Sequence, residues 1–164
     1  MNFQAIEINA YNLLHRFGVH NPSVDVNAIA EKLGIEVNIG EMDQGISGVI
    51  YREKGKAVIG LNKDDTAERN RFTIAHEIGH FMMHRDQDLH VDSEEILFRR
   101  TSELGDPKET AANVFAAALL MPKAFLMKES KPSLKNISKL AEKYNVSSQA
   151  MSYRLVNLGL VPLF

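Results

Sequence analysis

The chain has 164 residues, 45% hydrophobic and 24% charged, with a formal net charge of −2; these proportions fit a globular domain and exclude a wholly disordered or fibrous chain. The absence of cysteine excludes disulfides, thiolate metal sites and cysteine nucleophiles. The first residues lack a signal-peptide pattern, and the longest apolar stretch, 114–127, is shorter than the ~20 residues that span a bilayer, so we expect a cytoplasmic protein without a membrane partner.

The order of predicted elements is helices, a small sheet, then more helices, which favours an α+β fold. Asp25 and Asp65 are predicted N-caps, and Glu68 completes a capping box with Asp65. Residues 53–55 form a predicted hairpin turn. The predicted helices are 3–17, 26–33, 66–84, 107–121, 135–143 and 147–158, and the predicted strands are 35–39, 46–52, 56–61 and 96–99.

A linker predicted at 130–133 divides the chain into a main domain, 1–128, and a C-terminal helical element, 129–164. Charge is distributed unevenly along the chain. Residues 1–119 hold 12 basic and 19 acidic side chains, and residues 120–164 hold 7 and 2. A basic tail on an acidic body is compatible with nucleic-acid contact, a solvated helix face, or contact between tail and body. Five net charges are few for DNA binding, so we favour the last two interpretations.

Residues 76–80, with the sequence His-Glu-Ile-Gly-His, carry the chemistry of the long predicted helix. Histidines four residues apart share one helix face, so two imidazoles can reach one ion at the ~2.0–2.1 Å bond length of zinc. Glu77 follows the first histidine and can take a proton from water on that ion. Gly79 costs ~1 kcal/mol relative to Ala in a helix, which indicates that another group approaches closely there.

A catalytic zinc needs a third protein ligand. His84 lies about 12 Å of helix rise beyond His76, too far to share the ion, so we expect it to cap the helix or face the cleft. Glu109 opens the next predicted helix, and Asn113, four residues later, could accept the Nδ1–H of a histidine ligand. Spacing alone leaves two interpretations of Glu109, as a metal ligand or as the partner of Asp106 in a capping box.

Two segments together resemble the ImmA/IrrE family of zinc metallopeptidases: RFTIAHEIGH at 71–80 and ETAANVFAAALLMP at 109–122. The resemblance extends over about 24–164. It implies a zincin-like helical core with the small sheet packed on it, a gluzincin-like zinc site, and Glu77 as the general base. It also implies a substrate among helix-turn-helix repressors encoded nearby. The zinc ligands that it implies are His76, His80 and Glu109.

No residue stands out as the group that stabilises a tetrahedral oxyanion. The candidates are His84, Tyr51 and His90. For substrate binding, the hairpin at 46–61 could offer a sheet edge to an extended peptide, or it could simply close the core. The acidic stretch 86–106 is interpreted as a solvated loop rather than a lid.

The last two predicted helices have helix-turn-helix spacing, with Asn145 at the bend and Ser147 as an N-cap. A DNA reader would present the first turns of its second helix. The only basic residue there is Arg154, so we favour packing or repressor docking over sequence-specific DNA binding. The side chains presented at those turns are Ser148, Gln149, Ser152 and Tyr153.

The sequence therefore predicts a zinc-dependent endopeptidase that cleaves a helix-turn-helix repressor or antitoxin-like regulator. The alternative is a non-catalytic, metal-stabilised regulator that binds DNA or a protein through its C-terminal helices. A third, weaker hypothesis is a zinc hydrolase acting on a non-peptide bond. Glu77 favours catalysis, because a structural zinc needs no base and has a closed fourth position.

Overall fold

A computed structural model of the protein describes residues 2–85, 88–93, 106–129 and 134–162. The helices are α1 (Phe3–Arg16), α2 (Val26–Lys32), α3 (Ala67–Met83), α4 (Pro107–Leu120), α5 (Lys123–Leu126), α6 (Ile137–Tyr144) and α7 (Ser148–Asn157), with a 3₁₀ turn at Leu134–Asn136. The strands are β1 (Ile35–Gly40), β2 (Ile46–Glu53), β3 (Lys56–Asn62) and β4 (Leu89–Ser93). The predicted α+β class is confirmed. Within these described ranges, no helix is both long and apolar enough to cross a membrane.

The four strands form one sheet in the order β1-β3-β2-β4. β1 runs parallel to β3, and β2 runs antiparallel to both β3 and β4. The β2–β3 turn places Lys54 at φ 50° and Gly55 at φ 80°, the left-handed pair that matches the twist of a two-residue hairpin. Strand alternation directs Ile50 and Ile59 into the core, against α3.

β4 differs from the prediction. The strand forms at Leu89–Ser93, within the stretch interpreted as a loop, whereas the predicted strand 96–99 and the linker 130–133 lie outside the described residues. Because β4 pairs with β2, both strands of the hairpin have a neighbour on each side. The idea that this hairpin offers a free edge to a peptide is therefore wrong, and the hairpin closes the core instead.

The start of α3 also differs by one residue. Thr66, not Asp65, is the N-cap, and its hydroxyl accepts a hydrogen bond from the backbone N–H of Arg69 at 3.2 Å. The predicted capping box with Glu68 therefore does not form, since the third helical position is Arg69. Asp65 instead faces the guanidinium of Arg69, 3.9 Å away.

Helix α4 packs along α3 at the glycine of the His-Glu motif. A Cβ on Gly79 would lie 3.2 Å from the Cα of Ala112 and 3.2 Å from the ring of Phe115. The close approach predicted from this glycine is confirmed, and the group that approaches is the backbone of α4.

The C-terminal helices are held against the rest of the chain by buried polar contacts. Arg154 on α7 is 4% exposed; it donates to the carbonyl of Met121 at 2.9 Å and forms a two-pronged ion pair with Glu7 on α1. The turn between α6 and α7 has the predicted features. Asn145 adopts the left-handed conformation at φ 53°, and Ser147 caps α7.

The packing of α3 on β2 gives a first prediction. A Cβ on Gly48 would lie 2.3 Å from the Cγ2 of Thr73, which is fully buried. We expect Gly48→Ala to lower the free energy of unfolding by about 2 kcal/mol, in the range of core overpacking. Adding Thr73→Ser, which removes that methyl group, should restore much of the loss. Urea denaturation measures both effects.

Gly40→Ala is the matched control, because nothing lies within 4 Å of a Cβ placed there. It should change the free energy of unfolding by less than about 0.5 kcal/mol. Equal effects at Gly48 and Gly40, or no recovery in the double variant, would contradict the proposed clash.

Candidate metal centre

Four side chains with metal-binding atoms converge from three elements of the fold. His76 and His80 come from α3, Glu109 from α4 and His90 from β4, and one ligand atom of each lies within 4.8 Å of all the others. His76 and His80 are fully buried, and the side chains of His90 and Glu109 are 10% and 12% exposed. The packing of α4 and β4 on α3 therefore forms a buried cluster of nitrogen and oxygen donors.

The separations within this cluster suit a metal ion. The Nε2 atoms of His76 and His80 are 3.1 Å apart. Glu109 places one carboxylate oxygen 3.3 Å from Nε2 of His76 and the other 3.1 Å from Nε2 of His80. A tetrahedral ion with bonds of ~2.0–2.1 Å separates its ligand atoms by about 3.3 Å. The three side chains could therefore hold one such ion with little movement.

The structure separates the two interpretations of Glu109. The N-cap Asp106 accepts a hydrogen bond from the N–H of Lys108, not from that of Glu109, and the Glu109 carboxylate faces the histidines instead. Its Oε2 is buried and has no hydrogen-bond partner among the described residues. A bound cation would satisfy this atom, as buried polar groups require.

The charge states of the cluster also suit a metal. Burial acts to raise the pKa of Glu109, but the facing imidazoles of His76 and His80 outweigh it and hold that pKa below its usual range. Burial lowers the pKa of His80. Near neutral pH the site therefore offers an ionised carboxylate and a neutral imidazole, the forms that bind metals.

Each of the two helix histidines has a partner at its other ring nitrogen. Nδ1 of His76 lies 2.8 Å from Oδ1 of Asn113, the contact predicted for that residue. Nδ1 of His80 lies 3.0 Å from Nδ1 of His84. His84 therefore sits behind His80, on the side away from its Nε2, and is not placed to stabilise an oxyanion. Such partners fix the tautomer and ring orientation of a histidine ligand.

Glu77 lies beside the cluster. Its side chain is fully buried, and its Oε1 is 3.8 Å from Nε2 of His90. A carboxylate at this position can accept a proton from a molecule held between it and the cluster.

His90 and Tyr51 lie on opposite faces of the sheet. His90 pairs with the buried Ile50, so its side chain points inward, where its ring stacks on His80 with centroids 3.7 Å apart and an interplanar angle of 25°. Tyr51, the next residue along β2, is 44% exposed and hydrogen bonds to Glu53. The candidate role of Tyr51 at the site is therefore wrong.

His90 is the one member of the cluster that the sequence did not place among the metal-binding groups. Burial, followed by the neighbouring His80, lowers the pKa of His90 to about 4, so its imidazole is neutral near neutral pH. The sequence offered one signal for its position. Apolar Leu89 and Val91 flank His90, and alternation of apolar and polar residues is typical of a strand.

Comparison with known proteins decides the family. The family model described as the IrrE N-terminal-like domain, a peptidase family, matches residues 30–156. The chain belongs to this family. The resemblance drawn from residues 71–80 and 109–122 is thereby confirmed.

Several relatives extend this result. The radiation response metalloprotease IrrE of Deinococcus radiodurans is 36% identical over 109 residues, covering 65% of this chain and 33% of the relative. The metallopeptidase ImmA of Bacillus subtilis is 25% identical over 115 residues, covering 69% of this chain and 64% of the relative. The chain thus spans one third to two thirds of the length of these relatives.

A solved structure described as a Mycobacterium tuberculosis transcriptional regulator superposes with a TM-score of 0.65 at 18% identity. It covers 93% of this chain and 47% of that chain. At this identity the likeness shows the fold alone.

The contacts at the far ring nitrogens give a second prediction. Asn113→Ala removes the contact to His76, and His84→Ala removes the contact to His80. Each variant should weaken zinc binding ~10- to 100-fold, because the imidazole that binds the metal loses its fixed tautomer and orientation. Competition against a chromophoric chelator measures the dissociation constant. Asn12→Ala, on the exposed face of α1, is the control and should leave it unchanged. Unaltered zinc affinity in both site variants would contradict this role.

Proposed function

We propose that this chain is a zinc-dependent endopeptidase that cleaves a helix-turn-helix transcriptional regulator. The observation that carries the proposal is the group of donor atoms from His76, His80 and Glu109, beside the buried carboxylate of Glu77. The two Nε2 atoms are 3.1 Å apart, and each faces its own oxygen of Glu109 at 3.1–3.3 Å. Membership of a peptidase family whose relatives are named metalloproteases supports the same chemistry.

In this proposal His76, His80 and Glu109 hold the metal. Two imidazoles and one carboxylate are one of the ligand sets found in catalytic zinc sites, in which the fourth coordination position stays open. A zinc ion bound there supplies Lewis-acid polarisation and makes water acidic enough to react at neutral pH. Asn113 and His84 orient the two imidazoles from behind, and α4 keeps Glu109 facing them.

Glu77 acts as the general base. Its carboxylate takes a proton as the oxygen of water forms a bond to the carbonyl carbon, while the carbonyl π electrons move to the carbonyl oxygen. When the C–N bond then breaks, Glu77 returns that proton to the leaving nitrogen, so the enzyme ends unchanged. Full burial of Glu77 keeps it within reach of the reacting atoms and shielded from bulk water.

A regulatory protein is the substrate class that the C-terminal helices favour. Arg154, the only basic residue on the first turns of the would-be recognition helix, is buried against Glu7 and is not available to a DNA phosphate. The exposed residues of these turns include Ser148, Gln149 and Tyr153, which are neutral groups suited to docking on another protein.

This proposal predicts that Glu77→Gln removes the base and keeps the metal site. We expect bound zinc to stay at one ion per chain. The rate of cleavage of a helix-turn-helix repressor encoded by an adjacent gene should fall ~10²- to 10⁴-fold, which is the contribution of a general base. Metal analysis gives the first quantity, and gel electrophoresis of the incubated repressor, with and without chelator, gives the second.

Glu31→Gln, an exposed change on α2, is the matched control and should cleave normally. Cleavage that persists in Glu77→Gln, or in the presence of chelator, would reject the mechanism. If the unchanged protein cleaves no repressor but protects a specific operator from nuclease digestion, the non-catalytic DNA-binding alternative is correct.

A further inference from the structure

His90 places a buried ring nitrogen beside both carboxylates of the site. Its Nε2 is 3.5 Å from Oε1 of Glu109 and 3.8 Å from Oε1 of Glu77, distances longer than a direct hydrogen bond. This nitrogen is buried and has no hydrogen-bond partner among the residues that the structure describes. A polar contact of this length can be bridged by an oxygen atom that hydrogen bonds to both groups.

The position of the ring is set by packing rather than by a hydrogen bond of Nε2. The imidazole stacks on His80, and β4 fixes its backbone through pairing with β2, where His90 lies opposite Ile50. Because Nε2 faces two carboxylates, we expect this nitrogen to carry a hydrogen. A donor that is oriented before the substrate arrives costs no reorganisation during the reaction.

The same contacts argue against a role for His90 as a fourth metal ligand. The rings of His76 and His80 are 4.7 Å apart at 66°, as fits two imidazoles pointing at a common ion from different directions. The ring of His90 instead lies nearly flat on that of His80. A stacked ring cannot direct its nitrogen at the same ion without leaving the stack.

We propose that His90 is a catalytic residue whose Nε2–H donates a hydrogen bond to the oxygen of the carbonyl under attack. This assignment rests on the proposed peptidase function and deepens it, because it names the group that stabilises the negative charge on that oxygen. His84 and Tyr51, the other candidates, lie behind His80 and on the opposite face of the sheet.

The test uses zinc-loaded protein and acetohydroxamate, a small probe whose oxygens bind zinc and accept hydrogen bonds. We expect His90→Ala to weaken acetohydroxamate binding about tenfold, measured by calorimetry, while zinc affinity stays within about twofold of the unchanged protein. His90→Gln retains an N–H donor and should recover part of the loss, since side-chain amides serve as oxyanion donors. Leu89→Ala, on the exposed face of the same strand, should bind the probe normally.

Three results would overturn the assignment. Zinc affinity that falls in His90→Ala as far as in His80→Ala would make His90 a ligand. Acetohydroxamate binding that is unchanged or tighter in His90→Ala would show that no donor acts there. If His90→Gln loses as much acetohydroxamate affinity as His90→Ala, His90 has only a packing role. Because the probe needs no peptide, these outcomes are independent of whether a repressor is cleaved.

If cleavage is established, the same variants provide a kinetic check. We expect His90→Ala to reduce kcat ~10²- to 10³-fold with little change in KM, because the donor acts on charge that develops only in the transition state. A change confined to KM would contradict the assignment.

Discussion

The close approach of α3 and α4 at Gly79 is the constraint on which the candidate site depends. A glutamate side chain is short, so Glu109 reaches the nitrogens of His76 and His80 only if the two helix backbones nearly touch. They do so because Gly79 has no Cβ and faces the Cα of Ala112. Ligand distances in metal sites stay within about ±0.2 Å of their usual bond lengths. A Cβ added at Gly79 would shift α4 by a similar distance. Core packing and metal geometry are therefore set by the same contact.

The elements and part of the site could be predicted because they depend on local sequence. Helical and alternating periods locate most helices and strands, and the His-x-x-x-His spacing fixes which imidazoles share a helix face. Where two neighbouring residues are equally good caps, as Asp65 and Thr66 are, composition does not decide between them, and backbone geometry does. Glu109 poses the same difficulty, since its position suits both a cap and a ligand, and only the direction of its side chain distinguishes them.

His90 could not be placed from the sequence for a different reason. Its position depends on pairing between β4 and β2, which are far apart in the chain, and a five-residue strand gives a weak periodic signal. The pairing has a large consequence, because a shift of one residue would place His90 on the exposed face and Leu89 or Val91 inside. The apolar requirements of the core favour Leu89 or Val91 facing inward. Because His90 faces inward instead, the contacts of the polar cluster, rather than those of the apolar core, determine the register of β4 on β2.

Burying such a cluster is unfavourable unless its polar groups are satisfied. A cation held between His76, His80 and Glu109 would satisfy the Glu109 carboxylate, whose pKa lies below its usual range.

In the C-terminal helices, two basic side chains are paired with acidic groups of the same chain rather than left for an external partner. Arg154 is neutralised by Glu7, and Lys143 pairs with Glu129, so part of the basic excess of this segment contacts acidic groups of the same chain. A helix-turn-helix whose arginine faces inward has lost the phosphate contact that a DNA reader needs at that position. The helix-turn-helix geometry of α6 and α7 is present, and its exposed turn carries neutral hydrogen-bonding side chains. Such side chains match a protein surface better than a phosphate backbone.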